Sequence, residues 1–210
     1  MTDSPQQSDF YPDGKVREKY TMQEGKLHGT VSTYAPTGEL VRTAQFAQGA
    51  LTGEAVTYGP DGSVVQKANF KEGKLEGEML TFLDGKPNMK ALYKDGKREG
   101  ETLFYDATGA VVAKAAYQGG KLNGLSSWFA PNGQLVKTSL YRDGLMNGDT
   151  IEYFPNGKPR ITSVYKDDLL NGEMKTFTED GKLKQTRYYQ NGKPAKAPAP
   201  PKPSPQASKR

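Results

Sequence analysis

The 210-residue chain has no cysteine, one histidine and one tryptophan. Without cysteine there is no disulfide and no thiolate chemistry. With His28 alone, neither a nucleophile–base pair nor a common zinc site can be assembled. No catalytic residue, metal ligand or cofactor is therefore expected, and the chain reads as a non-enzyme. Apolar residues make up only 34% of the sequence, against roughly 45–50% in ordinary globular domains. That excludes a thick core. No apolar run approaches the ~18 residues of a membrane helix. Residues 1–9 are polar, lack the apolar stretch of a signal peptide and are expected to be flexible. As it stands, the sequence is expected in the cytoplasm; removal of a leader from a longer precursor would imply a periplasmic or lipid-anchored protein.

An excess of one charge is also missing from most of the chain. The net charge is +5, yet Lys193, Lys196, Lys202, Lys209 and Arg210 all follow Gly192, with no acid among them. Without these five, 24 Lys and Arg face 24 Asp and Glu. A neutral body offers no basic stripe to neutralise phosphates, so no nucleic-acid partner is expected.

What the chain has in abundance is glycine, 24 residues of it, and the glycines are in phase. One series is Gly14, Gly38, Gly62, Gly85, Gly109, Gly133, Gly157 and Gly181, with steps of 24 residues and a single step of 23. A second is Gly25, Gly49, Gly73, Gly96, Gly120 and Gly144, then Asp168 and Gly192. A third is Gly29, Gly53, Gly77, Gly100, Gly124, Gly148 and Gly172. A fixed period of this length marks a repeat architecture, in which each unit buries its apolar face against its neighbours. About eight units span 10–192.

Within a unit, two short segments alternate. The first carries small residues and aromatics two apart: Ala44 and Phe46, Ala68 and Phe70, Ala91 and Tyr93, Ala115 and Tyr117. Period two predicts a strand. The second ends on Tyr34, Tyr58, Phe82, Tyr105, Phe129, Tyr153 or Phe177. Pro60-Asp61-Gly62 and Pro131-Asn132-Gly133 read as type I turns closed by a left-handed glycine, and Asp95-Gly96 as a tight hairpin turn. Leu83-Asp84-Gly85-Lys86 fits a two-residue hairpin. The predicted fold is all-β: an elongated single-sheet meander of antiparallel hairpins. Simple alternation puts Leu27, Leu51, Leu75 and Leu122 on the face opposite the aromatics, unless the following glycine marks a bulge. From Lys193 to Arg210 the chain is rich in proline and lysine, and 193–210 is expected to be a disordered tail. The Pro198-x-x-Pro201 spacing is either a docking motif or plain solvated chain.

The repeated text has the form Tyr-x-x-Gly-Lys-Leu-x-Gly-Glu, then a second aromatic and Pro-Asn-Gly. Lys74-Leu75-Glu76-Gly77-Glu78 and Lys121-Leu122-Asn123-Gly124 carry it most plainly. Over 10–192 the chain resembles bacterial MORN-variant repeat proteins of the YwqK family, grouped with antitoxins and immunity proteins. The resemblance implies a scaffold that binds a protein partner, a cognate toxin, and brings no catalytic residues with it.

Other motifs have plain structural readings. His28 stands where other units have Thr52, Glu76 or Asn123, and reads as a solvent-exposed substitution. Glu54, Glu78, Glu101 and Glu173 recur with the repeat, as strand partners do. Asp167-Asp168 is a turn variant before it is a metal ligand.

The breaks in the repeat are more informative. Before each second aromatic lies Thr33, Thr57, Thr81, then Phe104, Trp128, Glu152 and Thr176. Alternation sends this position to the face opposite the aromatic rows. The turn assigned above sets Phe104 across from Val112, Trp128 across from Val136, and Glu152 across from Arg160. Leu92, Ala116, Leu140 and Val164 also replace the polar Gln45 and Asn69 of earlier units. Phe104, Trp128, Leu92, Val112, Val136 and Leu140 thus form the candidate partner-binding patch, unless that face is itself covered. Two other partners fit the sequence: an anionic phospholipid surface, with membrane association helped by the basic tail, and a polysaccharide, for which one tryptophan is thin support. The repeat pattern sets no oligomeric state.

Overall fold

The structure, a computed structural model, describes residues 5–198, among which there is no helix. Successive strands pair antiparallel from Gln7–Phe10 to Lys193–Ala195, building an 18-stranded meander. A two-residue ladder, Met22–Gln23 with Lys26–Leu27, stands apart from it.

Two kinds of turn make the meander, and each explains one glycine series. At Gln48–Gly49 both corners have positive φ, 52° and 84°, which defines a type I′ turn. Asp143–Gly144 and the glycine-free Asp167–Asp168 do the same, and so, at the opposite edge, does the shortened turn Asp84–Gly85, the exception within the first glycine series. At the opposite edge, Gly133 N–H donates to Ala130 O and Ala130 N–H to Gln134 O, both at 2.8 Å, and Gly133 has φ 80°. This is a type I turn closed by a glycine bulge, which offsets the joined strands by one residue. Trp128 accordingly pairs with Lys137, while Phe129 pairs with Leu135.

The third glycine series sits at a wider irregularity. Ser139 pairs with Thr150 and Tyr141 with Met146, so the second strand carries extra residues around Gly148. The bulge answers the leucine question. Leu51, Leu75 and Leu122 pair directly with Phe46, Phe70 and Tyr117 and so share the aromatic face. It also frees their carbonyls: Leu51 O accepts from Gly73 N–H and Leu122 O from Gly144 N–H, each at 2.8 Å. Every unit is thereby stapled to the next.

A one-layer sheet has no second layer to cover its centre. Here the centre of one face, called the first face, is a row of small or slender residues paired strand to strand. It includes Val31, Ala44, Ala55, Ala68, Met79 and Ala91, and continues through Thr102, Ala115, Ser126, Ser139, Thr150 and Ser163. All of them are buried. Small residues let larger flanking side chains fold over them, and the ladder Phe46, Phe70, Tyr93, Tyr117, Tyr141, Tyr165, Tyr189 runs two residues to one side. The aromatics that end the second strands serve the other face. Tyr34 lies beneath Lys19 Nζ at 5.6 Å, and the Tyr153 hydroxyl comes within 3.5 Å of Thr138 Oγ1.

The sheet reaches beyond its expected limits at both ends. The strand Gln7–Phe10 begins within residues 1–9, the stretch expected to be flexible. Asn191–Gly192 forms another positive-φ turn, so Lys193–Ala195 folds back on Tyr188–Gln190 instead of starting a disordered tail. Pro194 is tolerated there because an edge strand needs no outward donor. The remainder of the expected tail, from residue 199, and its Pro201 lie outside the described residues.

Candidate interaction surface

The bulge at the glycine-closed turn decides which side chains meet. Phe104 pairs with Ala113 and, on its other side, with Met89. Trp128 pairs with Ala113 and Lys137. Val112 and Val136 are therefore each one residue away from the expected partnership, and a one-residue offset reverses the face. Phe104 and Trp128 lie on the first face, with the small row and the aromatic ladder, not opposite them. Leu92, Val112, Val136 and Leu140 lie on the second face. The six-residue patch is thus two surfaces. Glu152 likewise faces Ile161, yet its carboxylate still reaches Arg160 at 2.5 Å.

On the first face, Met89, Phe104, Ala113, Trp128 and Lys137 follow one another on adjacent strands. The same row elsewhere reads Thr33, Arg42, Thr57, Gln66 and Thr81 on one side, and Glu152, Ile161, Thr176 and Gln185 on the other. Both rings are half-buried, and the methyl of Ala113 separates them. Lys137 Nζ stands 5.3 Å from the Trp128 ring centre, a cation–π contact.

Sequence reasoning missed one residue of this surface. In the series Leu27, Leu51, Leu75, Leu122 the member between the last two is Arg98. Arg98 pairs with Tyr93. Its Nε donates to the Tyr93 hydroxyl at 3.2 Å, and a terminal nitrogen donates to the Tyr117 hydroxyl at 3.1 Å. The other terminal nitrogen lies 3.8 Å from Met89 Sδ, and the guanidinium carbon 5.0 Å from the Tyr117 ring centre. Met89 and Tyr93 flank Ala91 on one strand, so the guanidinium spans that alanine, which is 0% exposed. Burial opposes the charge, but hydrogen bonds to Tyr93 and Tyr117 outweigh it, and the guanidinium is held above its ordinary pKa. Among the described residues, no carboxylate forms a salt bridge with it. The signal was the gap in the leucine series.

The second face carries scattered apolar side chains. Leu125 and Leu140 oppose each other, 51% and 37% exposed, and Leu92 and Val136 are also exposed. Leu140 fills the space left by the missing side chain of Gly148. His28 is exposed, as expected. Among the described residues no group of three or more His, Cys, Asp or Glu is placed to hold a metal ion. Among the described residues no helix is long and apolar enough to cross a membrane.

A repeating hairpin with three structural glycines and two aromatics invites comparison with known repeats. The MORN repeat variant profile matches residues 51–72, 122–143, 146–167 and 170–191. Four of the chain's repeat units are thus similar to the MORN repeat variant. Between the first and second matches lies the stretch where Arg98 and Phe104 depart from the pattern. No curated protein is significantly similar to the chain. Solved structures with a local likeness include a point mutant of S. aureus TarM in complex with Fondaparinux, alpha-GlcNAc-glycerol and UDP (TM-score 0.28, 16% identity, 57% of this chain and 19% of that one). Others are a GtfA/B complex bound to UDP and GlcNAc (TM-score 0.26, 10% identity, 56% and 23%) and TarM itself (TM-score 0.25, 20% identity, 60% and 21%). The likeness spans about a fifth of those chains and bears on no activity of this one.

Proposed function

We propose that this MORN-repeat chain is a non-enzymatic scaffold that binds another protein through its first face, and that the partner is a toxin whose active site or entry path it occludes. The observation that carries the binding reading is the strip Met89, Phe104, Ala113, Trp128, Lys137. The fold uses threonine or other small and polar residues at the two ring positions in most units. Large aromatics there add exposed apolar area without being required for the sheet. Such rings are favoured anchors in protein interfaces. The toxin assignment is supported by the resemblance to YwqK-type antitoxins.

The test is co-expression with the product of a neighbouring open reading frame that arrests growth. Growth is expected to recover with the wild-type chain and to stay arrested with Phe104→Thr/Trp128→Thr. Absence of any growth-arresting neighbour, or rescue that ignores both rings, would overturn the toxin reading.

A further inference from the structure

We infer that Arg98 is an anion-receiving subsite of the first face, taking a carboxylate that the partner protein presents next to an apolar or aromatic side chain. This rests on the protein-binding reading above and adds the partner's chemistry to it.

The repeat itself supplies the first argument. Leu27, Leu51, Leu75, Leu122 and Leu170 show that a leucine serves the fold at this position, and Met146 that another apolar residue does. A cation is not needed to close the unit. Its charge is half-buried and has no carboxylate against it among the described residues. Its immediate partners are two neutral hydroxyls and a thioether. Burying part of a charge without a counter-charge is unfavourable unless something of opposite sign arrives.

The geometry then says what would fit. A guanidinium has five N–H donors, and the contacts above engage three, leaving others for an incoming group. The Tyr93 and Tyr117 hydroxyls accept from Arg98, so their own protons are free to donate to the same anion. The cation–π contact with Tyr117 and the two tyrosine hydroxyls hold the guanidinium in place, and a planar fork matches a carboxylate in bidentate fashion. Met89 links this spot directly to Phe104, its cross-strand neighbour. Trp128 lies two strands beyond Arg98's own hairpin arm, roughly 10 Å across the sheet at normal strand spacing, and in the row of Met89, toward which the Arg98 side chain reaches from its backbone place beside Tyr93. Lys137 closes the far end of the strip. An apolar saddle bracketed by two cations is complementary to an acidic segment carrying an aromatic or aliphatic anchor. A lipid surface fits less well. It rewards a broad basic face, whereas the same face carries Glu18 and Glu152 and the repeat body is neutral.

The test uses the full chain. Short random peptides displayed on phage are selected on the wild-type protein, and the synthetic winners are titrated calorimetrically. Winners are expected to carry Asp or Glu near an aromatic residue. Arg98→Leu, which restores the repeat's own residue, should leave the melting temperature unchanged and weaken binding at least about tenfold. Arg98→Lys should recover only part. Replacing the peptide's acid by its amide should cost the same on wild type and nothing further on Arg98→Leu, the signature of a direct pair. If Arg98→Leu fails to fold, the Arg98→Lys and peptide-amide arms decide. Peptides that depend on Phe104 and Trp128 but ignore Arg98 would overturn the subsite and leave the protein-binding reading standing. Peptides that ignore all three, or no binders at all, would count against both. Arg98-dependent flotation on equimolar phosphatidylcholine–phosphatidylglycerol vesicles, without Arg98-dependent peptide binding, would assign the residue to lipid and overturn the inference.

Discussion

Leu140 lies against Gly148 on the second face: a Cβ on the glycine would stand 3.1 Å from Leu140 Cδ1 and 3.2 Å from its Cβ. The same glycine has φ 119°, a backbone that side chains rarely adopt. Gly133 differs, with φ 80° and nothing within 4 Å of an added Cβ. The two glycine series are therefore kept for different reasons, conformation alone at the turn and conformation plus contact at the bulge. Gly133→Ala should cost about 1–2 kcal/mol from the left-handed backbone. Gly148→Ala should cost about 2–4 kcal/mol, because overpacking adds to strain. Urea denaturation checks the order. Hydrogen exchange should show the damage confined to neighbouring hairpins, as a near one-dimensional array implies.

Two of the three serines in the buried small row have opposite prospects. Thr150 Oγ1 donates to Ser139 Oγ at 3.0 Å in a buried pair, whereas Ser126 Oγ is buried with no partner. Ser139→Ala should cost about 1 kcal/mol or more, since it strands the threonine hydroxyl. Ser126→Ala should be neutral or stabilising by up to about 1 kcal/mol, and it copies the alanine that an earlier unit has at the same repeat position, Ala55. A lower denaturation midpoint for Ser126→Ala would show that its hydroxyl has a role the fold does not reveal.

The glycine ladders made the architecture legible from the chain alone, because positive-φ positions cannot be filled casually. The faces were harder. The glycine-closed turn inserts one residue, and with a side-chain period of two that single residue carried Phe104 and Trp128 to the opposite side. Turn type is readable from Pro131-Asn132-Gly133, but the offset that pairs Trp128 with Lys137 shows only in the strand register. Arg98 escaped for a different reason. It occupies a position known by its leucines, and an exception is visible only when every member of the series is laid out. Pairing at Lys193–Ala195 was obscured by Pro194, which excludes an interior strand but not an edge.

Asp106 ties its turn together by charge. Its Oδ1 accepts from Thr108 N–H at 2.8 Å, from Thr108 Oγ1 at 2.6 Å and from Ala110 N–H at 3.1 Å. The Thr108 hydroxyl foremost, with the turn amides, lowers its pKa despite some desolvation. A depressed acid stabilises the fold at pH above its unfolded value, and that contribution is lost as pH falls through the lower, folded value. The Thr108 and Ala110 amide resonances should therefore titrate together in an NMR pH series, with a midpoint below the ordinary Asp value of about 3.9. Asp106→Asn should abolish that titration. A midpoint at or above the ordinary value would contradict the geometry.

Trp128 is the only tryptophan, so its fluorescence reports on one place in the molecule. It is half-buried, with Lys137 over its ring and the Ala113 methyl between it and Phe104. A partner seated on the first face would remove water from the indole and shift its emission to the blue. A partner on the second face, over Leu125 and Leu140, would leave emission unchanged. The companion test is Phe104→Thr with Trp128→Thr, which restores the residue type of Thr33, Thr57 and Thr81. The double variant should keep its circular dichroism and melt within a few degrees of wild type, because both rings flank the buried row without forming it. Its partner affinity should fall at least about tenfold, the loss of about 1.4 kcal/mol or more that a pair of anchor rings implies. Unfolding of the double variant would mean that the two rings shelter Ala113 and Thr102 as core, and would leave Leu92, Leu125 and Leu140 on the second face as the surface to probe.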